Sequence, residues 1–215
     1  MEIDNLNLTN TSYRDKWTQE WKLTAFRKRL FAVLVIIFIV VSVNPYFFNY
    51  IQQRNGIVLN DWLLNFIPQH DVSIPIFCIL WSVILLAVCR AVQNPRFLIV
   101  AGWTVLLLFV SRIISITLVP LNLPKGLIYL HDPVTAMFYG NQLITKDLFY
   151  SGHTATMFLI FLCLENRYDK AYALFATVAI AILLLVQHAH YTIDIVAAPF
   201  FTYILYRLSK KIAAY

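Results

Sequence analysis

The sequence predicts an all-α membrane protein, a bundle of six transmembrane helices with both termini in the cytoplasm. Hydrophobic residues make up 60% of the 215 residues and charged residues only 13%, and the mean hydropathy is +0.68. Soluble domains carry about a quarter charged residues, so this composition indicates an integral membrane protein. Six apolar stretches reach or approach the roughly 20 residues that a helix needs to cross a bilayer. They cover residues 30–48, 72–89, 97–119, 149–164, 171–187 and 191–208.

The segments outside these stretches set the domain organisation. The amino-terminal segment is polar, and its two tryptophans, Trp17 and Trp21, favour an amphipathic helix at the membrane interface over a loose tail. The two longest connections, 49–71 and 120–148, contain Pro or Gly and aromatic residues that prefer the interface. The chain is therefore expected to divide into a polar interfacial segment (1–29), a six-helix membrane domain (30–208) and a cytoplasmic tail (209–215).

The distribution of basic residues predicts the orientation. If the six stretches cross the membrane in turn, thirteen of the 17 Lys and Arg residues fall on the side that holds both termini. Short cytoplasmic loops carry such an excess, so both termini are predicted to be cytoplasmic. The same bias accounts for the net charge of +6 without a nucleic-acid partner.

A few ionisable residues lie within or beside the apolar stretches, where charged groups are costly and are functional candidates by default. Arg112 is the only basic residue deep in a stretch, and Asp194 is the only carboxylate in one. His190 lies four residues before Asp194, a spacing that places both on one face of a helix. A carboxylate bonded to one imidazole nitrogen fixes the tautomer and directs the other nitrogen. His153 begins the fourth stretch, at the same predicted end of the bundle.

Together these residues predict a site for a phosphoryl group. Two imidazoles and one carboxylate suit a double displacement, in which one histidine attacks and the other protonates the leaving group. The amino terminus of the fourth stretch, at Ser151, Gly152 and His153, offers backbone amides and a positive dipole end to an anion. Arg112 is expected to clamp the same anion.

Each of these residues also has a structural interpretation. Ser151 is a suitable helix N-cap, His190 with Asp194 can be a packing pair, and Arg112 can extend to the lipid headgroups. His188 is interpreted as an interfacial neighbour of His190. Four further residues are candidates for substrate contact, although His131 is more simply a loop residue: they are Tyr191, Lys146, Lys125 and His131.

Two motifs resemble those of a known family. The stretch "FYSGHT" (149–154) is followed by "HYTIDIVAAPF" (190–200), and their histidines are 37 residues apart. This pair is similar to the SGHT and HYTxDVxxAYF signatures of the sphingomyelin synthases. "RIISITLVPLN" (112–122) is a weaker likeness to a further signature of that family. The resemblance covers about residues 108–205, and it also places the chain near the wider superfamily of type 2 phosphatidic acid phosphatases.

The resemblance implies a role for each matching residue. His190 would be the nucleophile that forms a phospho-histidine intermediate, and Asp194 would orient it and balance its charge. His153 would protonate the leaving diacylglycerol-type alkoxide and then activate the acceptor. In the synthases the donor is a glycerophospholipid such as phosphatidylcholine and the acceptor is ceramide. The active site would face away from the cytosol, and neither a metal nor another cofactor would be required.

Departures from the family patterns leave three functions open. Pro199 stands where the synthases have Tyr, and their first signature has no clear counterpart. The Lys-x6-Arg-Pro block and the Ser-Arg pair of the phosphatase branch are missing, which favours the synthase-like branch. The sequence therefore predicts a lipid phosphotransferase that moves phosphocholine or phosphoethanolamine to a lipid alcohol. The alternatives are a hydrolase of phosphatidic acid-like or polyprenyl (di)phosphate lipids and a non-catalytic membrane protein. The expected partners are membrane lipids; homo-oligomerisation is left open.

Overall fold

The computed structural model describes residues 13–129 and 145–214, and this part of the chain is helical. An isolated bridge between two loops is its only extended pairing within those ranges. The all-α prediction is confirmed. The seven α-helices within the described ranges are α1 (Tyr13–Lys22), α2 (Thr24–Gln53), α3 (Ser73–Gln93), α4 (Pro95–Leu118), α5 (Gly152–Cys163), α6 (Arg167–Val186) and α7 (Thr192–Ala213), and a 3-10 turn covers Leu64–Phe66.

Four of these helices, α2, α3, α4 and α6, are long and apolar enough to cross a membrane. They support an integral membrane protein. Helix α5 is apolar but has only 12 residues, which at the rise of an α-helix is about 18 Å against a hydrocarbon core of about 30 Å. Helix α7 is outside the group of four, and Asp194 near its start and Lys210 and Lys211 near its end reduce its apolar length. Six spans and cytoplasmic termini stay predictions.

Helix α1 (Tyr13–Lys22) covers the middle of the 1–29 segment that we expect at the interface. The indole nitrogen of Trp17 donates to the carbonyl of Val92 (2.7 Å), and Glu20 pairs with Arg96 (2.7 Å). These contacts attach α1 to the end of α3 and the start of α4. The position of this helix relative to a membrane stays a prediction.

The main core lies between α3, α5 and α6. Ile76, Met157, Ile180 and Leu184 are fully buried there. Helix α7 packs mainly on α4 and α5, and the hydroxyls of Thr104 and Ser209 are 2.6 Å apart across the α4–α7 interface. Many large apolar side chains on the long helices instead point outward, as expected for surfaces that face lipid; examples are Phe31, Phe38, Ile74, Leu85, Phe175 and Ile182.

Two connections, residues 54–72 and 119–129, form what we call the loop pair. The amide of Ile57 donates to the carbonyl of Pro120, and the amide of Asn122 donates to the carbonyl of Ile57, both at 2.9 Å. This short parallel bridge joins the connection that follows α2 to the one that follows α4. The loop pair therefore lies at the end of the bundle where α3 and α7 begin.

Candidate active site

His190 and Asp194 meet at the start of α7, as the four-residue spacing predicts. The Nδ1 atom of His190 is 3.3 Å from the Oδ2 atom of Asp194. The same oxygen accepts a hydrogen bond from the amide of Tyr191 (3.1 Å), and the Asp194 side chain is fully buried. Helix α7 begins only at Thr192, so His190 precedes the helix rather than lying on its face. Asp194 thus fixes both the imidazole and the first turn of α7.

The SGHT motif forms the start of α5. Ser151 is the N-cap, and its hydroxyl accepts from the amide of Thr154 (3.3 Å). The amide of Ser151 donates to the backbone carbonyl of Asp194 (3.1 Å). This hydrogen bond joins the amino terminus of α5 to that of α7. His153 is half-buried in the first turn of α5, so both histidine-bearing motifs lie at one junction of the bundle.

Arg112 extends from α4 to the same junction. It is 8% exposed, and its Nη1 atom donates to the carbonyl of Tyr150 (2.6 Å), while Nη2 forms an ion pair with Asp147. A Cβ atom added at Gly152 would lie only 2.6 Å from Nη1. The guanidinium therefore contacts the backbone at the start of α5, where Gly152 leaves room for it. The side chain is buried, so the structure does not support the interpretation that Arg112 extends to the lipid headgroups.

Three polar atoms at this junction are buried without a hydrogen-bond partner in the described part of the chain: Oδ1 of Asp147, which forms the ion pair with Arg112, Oδ1 of Asp194 and Oγ1 of Thr154. The last two belong to the first turns of α7 and α5. Buried polar atoms are nearly always paired in folded proteins, so an unpaired one calls for an explanation, such as a catalytic role. One carboxylate oxygen of Asp194 thus contacts His190 and Tyr191, and the other is left to accept a further hydrogen bond.

Three residues at the junction are not among those that the sequence predicts for the site. Asp147 forms an ion pair with Arg112; it is the acidic residue that comes four residues before Ser151, but its charge alone does not specify this partner. Tyr150 is 1% exposed, and its hydroxyl is 2.9 Å from that of Ser111. Asp61 lies in the loop pair, and no local pattern marks it.

Asp61 binds the first residue of α7. Its Oδ2 atom accepts from the amide of Thr192 (2.6 Å), and its Oδ1 atom accepts from the Thr192 hydroxyl (3.0 Å) and from the amide of Leu64 (3.1 Å). Burial raises the pKa of the Asp61 carboxyl, but these hydrogen bonds outweigh burial and hold the pKa below its ordinary value. Asp61 is therefore an anion that completes the capping of α7.

The four predicted substrate contacts fall in different places. Tyr191 is 1% exposed; its hydroxyl donates to the carbonyl of Asn122 (2.9 Å) and accepts from the amide of Leu59 (3.2 Å), which is a structural role. Lys146 donates to the carbonyl of Arg54 (2.6 Å). Substrate contact by either residue stays a prediction.

The structure says less about the other two predicted substrate contacts, Lys125 and His131. Lys125 is exposed in a turn, and His131 lies outside the described residues. His188 is buried, and its ring nitrogens are 3.0 Å and 2.9 Å from the carbonyls of Lys125 and Ile67. It attaches the end of α6 to both members of the loop pair.

The comparison with protein families identifies the same region of the chain. Residues 146–211 match the family model described as PAP2 superfamily C-terminal. The match supports membership in the type 2 phosphatidic acid phosphatase superfamily. It includes His153, His190 and Asp194, whereas Arg112 and Asp61 lie outside it. No curated protein and no solved structure matches the chain. The match over these residues suggests an enzyme of the lipid phosphatase or phosphotransferase type.

Proposed function

We propose that this chain is a membrane lipid phosphotransferase. It moves a phospho-headgroup from a glycerophospholipid to a lipid alcohol, such as ceramide or diacylglycerol, through a phospho-histidine intermediate. The observation that supports this most strongly is the hydrogen bond from the amide of Ser151 to the carbonyl of Asp194. It joins the helix starts that carry the two histidine motifs, and a double displacement at one phosphorus atom needs both histidines near each other.

In the first step His190 acts as the nucleophile. Because Nδ1 faces the carboxylate of Asp194, the proton is held there and the lone pair of Nε2 is directed outward. Nε2 attacks phosphorus, a P–N bond forms, and the P–O bond to diacylglycerol breaks. His153 gives its proton to the departing oxygen, so that diacylglycerol leaves as a neutral alcohol.

The start of α5 and Arg112 stabilise the charge on the phosphoryl oxygens. Backbone amides in the first turn of a helix point along its axis and favour an anion. The Arg112 guanidinium lies against this turn, next to Gly152. Donors that are already in place cost little reorganisation in the transition state, which is where such stabilisation accelerates the reaction.

In the second step a lipid alcohol accepts the headgroup. His153 now takes the proton of the alcohol, its oxygen attacks phosphorus, and the P–N bond breaks to regenerate His190. His190 is 7% exposed and Asp194 is fully buried. Limited access of bulk water to these two side chains would disfavour hydrolysis of the intermediate, which supports a lipid alcohol over water as the acceptor.

The test is to incubate purified protein with headgroup-labelled phospholipids, with and without ceramide or diacylglycerol, and to follow the label by lipid mass spectrometry. Label in a new lipid that depends on the added alcohol is the expected result. Label found only in water-soluble product would reject transfer in favour of a hydrolase. Absence of product from every donor would indicate a non-catalytic protein.

Variants assign the chemistry to the junction. His190→Ala is expected to abolish donor cleavage and to leave the protein folded, because the hydrogen bonds from the amides of Tyr191 and Ser151 to Asp194 do not involve the imidazole. His70→Ala is the matched control, since His70 is exposed in the loop pair and it is its backbone amide that donates to the carbonyl of Val186. Normal turnover by folded His190→Ala protein would refute the phospho-histidine mechanism.

A further inference from the structure

The amino terminus of α7 is capped by a residue from a distant part of the chain. The first amides of a helix lack intrahelical partners and are usually satisfied by the side chain of the N-cap residue. Here the N-cap is Tyr191, whose hydroxyl is bonded to the loop pair instead. The carboxylate of Asp61 supplies an acceptor from outside the helix for its first amide, and it binds both the amide and the hydroxyl of Thr192.

Asp61 is itself held in place from two directions. Its Oδ1 atom accepts from the amide of Leu64, which fixes the carboxylate relative to the following 3-10 turn. Two residues earlier, the amide of Leu59 donates to the hydroxyl of Tyr191. The loop around Asp61 is thus connected to α7 at two consecutive residues, Tyr191 and Thr192, and cannot shift without moving the start of the helix.

The connection lies between the two members of the candidate catalytic pair. Thr192 follows His190 by two residues and precedes Asp194 by two. A displacement of the Thr192 backbone would therefore change the position of the His190 ring relative to the start of α5. Catalysis is sensitive to such changes, because a misplacement of about 1 Å can cost on the order of 100-fold in rate.

We propose that Asp61 is a positioning residue for phosphoryl transfer: through Thr192 it holds the first turn of α7 so that His190 faces the phosphate site at the start of α5. This inference rests on the proposed function. Asp61 does not contact the reacting atoms; it acts through the backbone. Its loss should lower kcat for donor cleavage and leave KM nearly unchanged, because the lipid is still bound when the nucleophile is misplaced.

The first experiment separates positioning from ordinary helix capping. Asp61→Ala is compared with Asn166→Ala, which removes the N-cap of α6, where the Asn166 side chain accepts from the amides of Tyr168 and Asp169. Both variants are expected to lose thermal stability. Only Asp61→Ala is expected to lower kcat, by about 100-fold, with KM within about twofold of wild type. Equal kcat values for the two variants would overturn the proposal.

The second experiment uses the partner residue. Thr192→Ser keeps the hydroxyl and is expected to retain at least about half of the wild-type kcat, whereas Thr192→Val is expected to lose about tenfold. If Asp61 acts through Thr192, adding Thr192→Val to Asp61→Ala lowers kcat no further. Multiplicative losses in the double variant would overturn the proposal. If Asp61→Ala does not fold, the near-isosteric Asp61→Asn takes its place in both experiments.

A third measurement does not depend on turnover. Amide hydrogen exchange of the peptide that spans residues 188–195 is expected to accelerate in Asp61→Ala and to stay at the wild-type rate in Asn166→Ala. If wild-type protein cleaves no donor lipid, the proposed function fails, yet faster exchange would still show that Asp61 fixes the turn. Unchanged exchange with active wild-type protein would reject the role of Asp61 alone.

Discussion

A methyl group added at residue 152 tests whether Arg112 serves the phosphate site. The Cβ atom of Gly152→Ala would lie 2.6 Å from Nη1 of Arg112, whereas ordinary contacts begin at 3.4 Å. The guanidinium must therefore retreat by about 0.8 Å, the difference between those two distances. Its hydrogen bond to the carbonyl of Tyr150, now 2.6 Å, would stretch to about 3.4 Å and be largely lost.

The magnitude follows from the type of bond. A hydrogen bond to a charged group contributes about 1.5–3 kcal/mol. Losing it should lower Tm by roughly 3–12 °C for a chain of this size. If the displaced guanidinium also binds the transferred phosphoryl group, the same energy corresponds to about a 10- to 100-fold loss in kcat/KM. Thermal melts and the donor-cleavage assay measure the two effects separately.

Gly102→Ala is the matched control. A Cβ atom at Gly102, inside α4, would be 3.6 Å from its nearest neighbour, the Cγ1 atom of Val33, which is an ordinary contact. Because Ala favours a helix interior over Gly by about 1 kcal/mol, this variant should be as stable as wild type or more so. Wild-type turnover and Tm for Gly152→Ala would refute the close packing of Arg112 on α5 and its assignment to the site.

Three further outcomes are expected. The pKa of Asp61 is lowered in the folded state, so the stability advantage of wild type over Asp61→Asn should be complete above about pH 4 and vanish as pH falls through the lowered pKa. Thermal melts of both proteins across acidic pH check this. A difference in Tm between them that stays constant with pH would contradict it. Gly56→Ala places a Cβ atom 2.5 Å from the backbone carbon of Leu121, so it should cost about 1–3 kcal/mol, seen as a lower Tm; an unchanged Tm would show that the loop pair can separate freely. Asp194→Asn keeps an acceptor for the Tyr191 amide but cannot balance an imidazolium, so donor cleavage should slow about 10⁴-fold, and a near-normal rate would argue against a charged histidine in the mechanism.

The local parts of the site could be predicted because they follow from spacing. His190 and Asp194 are four residues apart, and one turn of chain brings them together whether or not the helix includes both. Ser151 caps α5 because a hydroxyl before an apolar run is a standard helix start. The all-helical class likewise follows from the apolar stretches, since a membrane admits few other structures.

The long-range parts could not be predicted in this way. Asp61 is 131 residues before Thr192, and only the folded loop pair brings them together. Asp147 pairs with Arg112 across two elements, a contact that charge alone suggests but does not specify. Composition does not fix the number of spans either, because α5 ends at Cys163, shortly before a polar run that starts at Glu165, and α7 carries charge at both ends.

The side chain of His188 contacts both members of the loop pair. Both ring nitrogens face carbonyl oxygens, which can only accept. A neutral imidazole carries a single N–H, so it can be bonded to Lys125 or to Ile67 but not to both, and only the imidazolium satisfies the two together. One side chain thus lies against both loops at the end of α6, and in either neutral tautomer it leaves one of their carbonyls without a donor, two residues from His190.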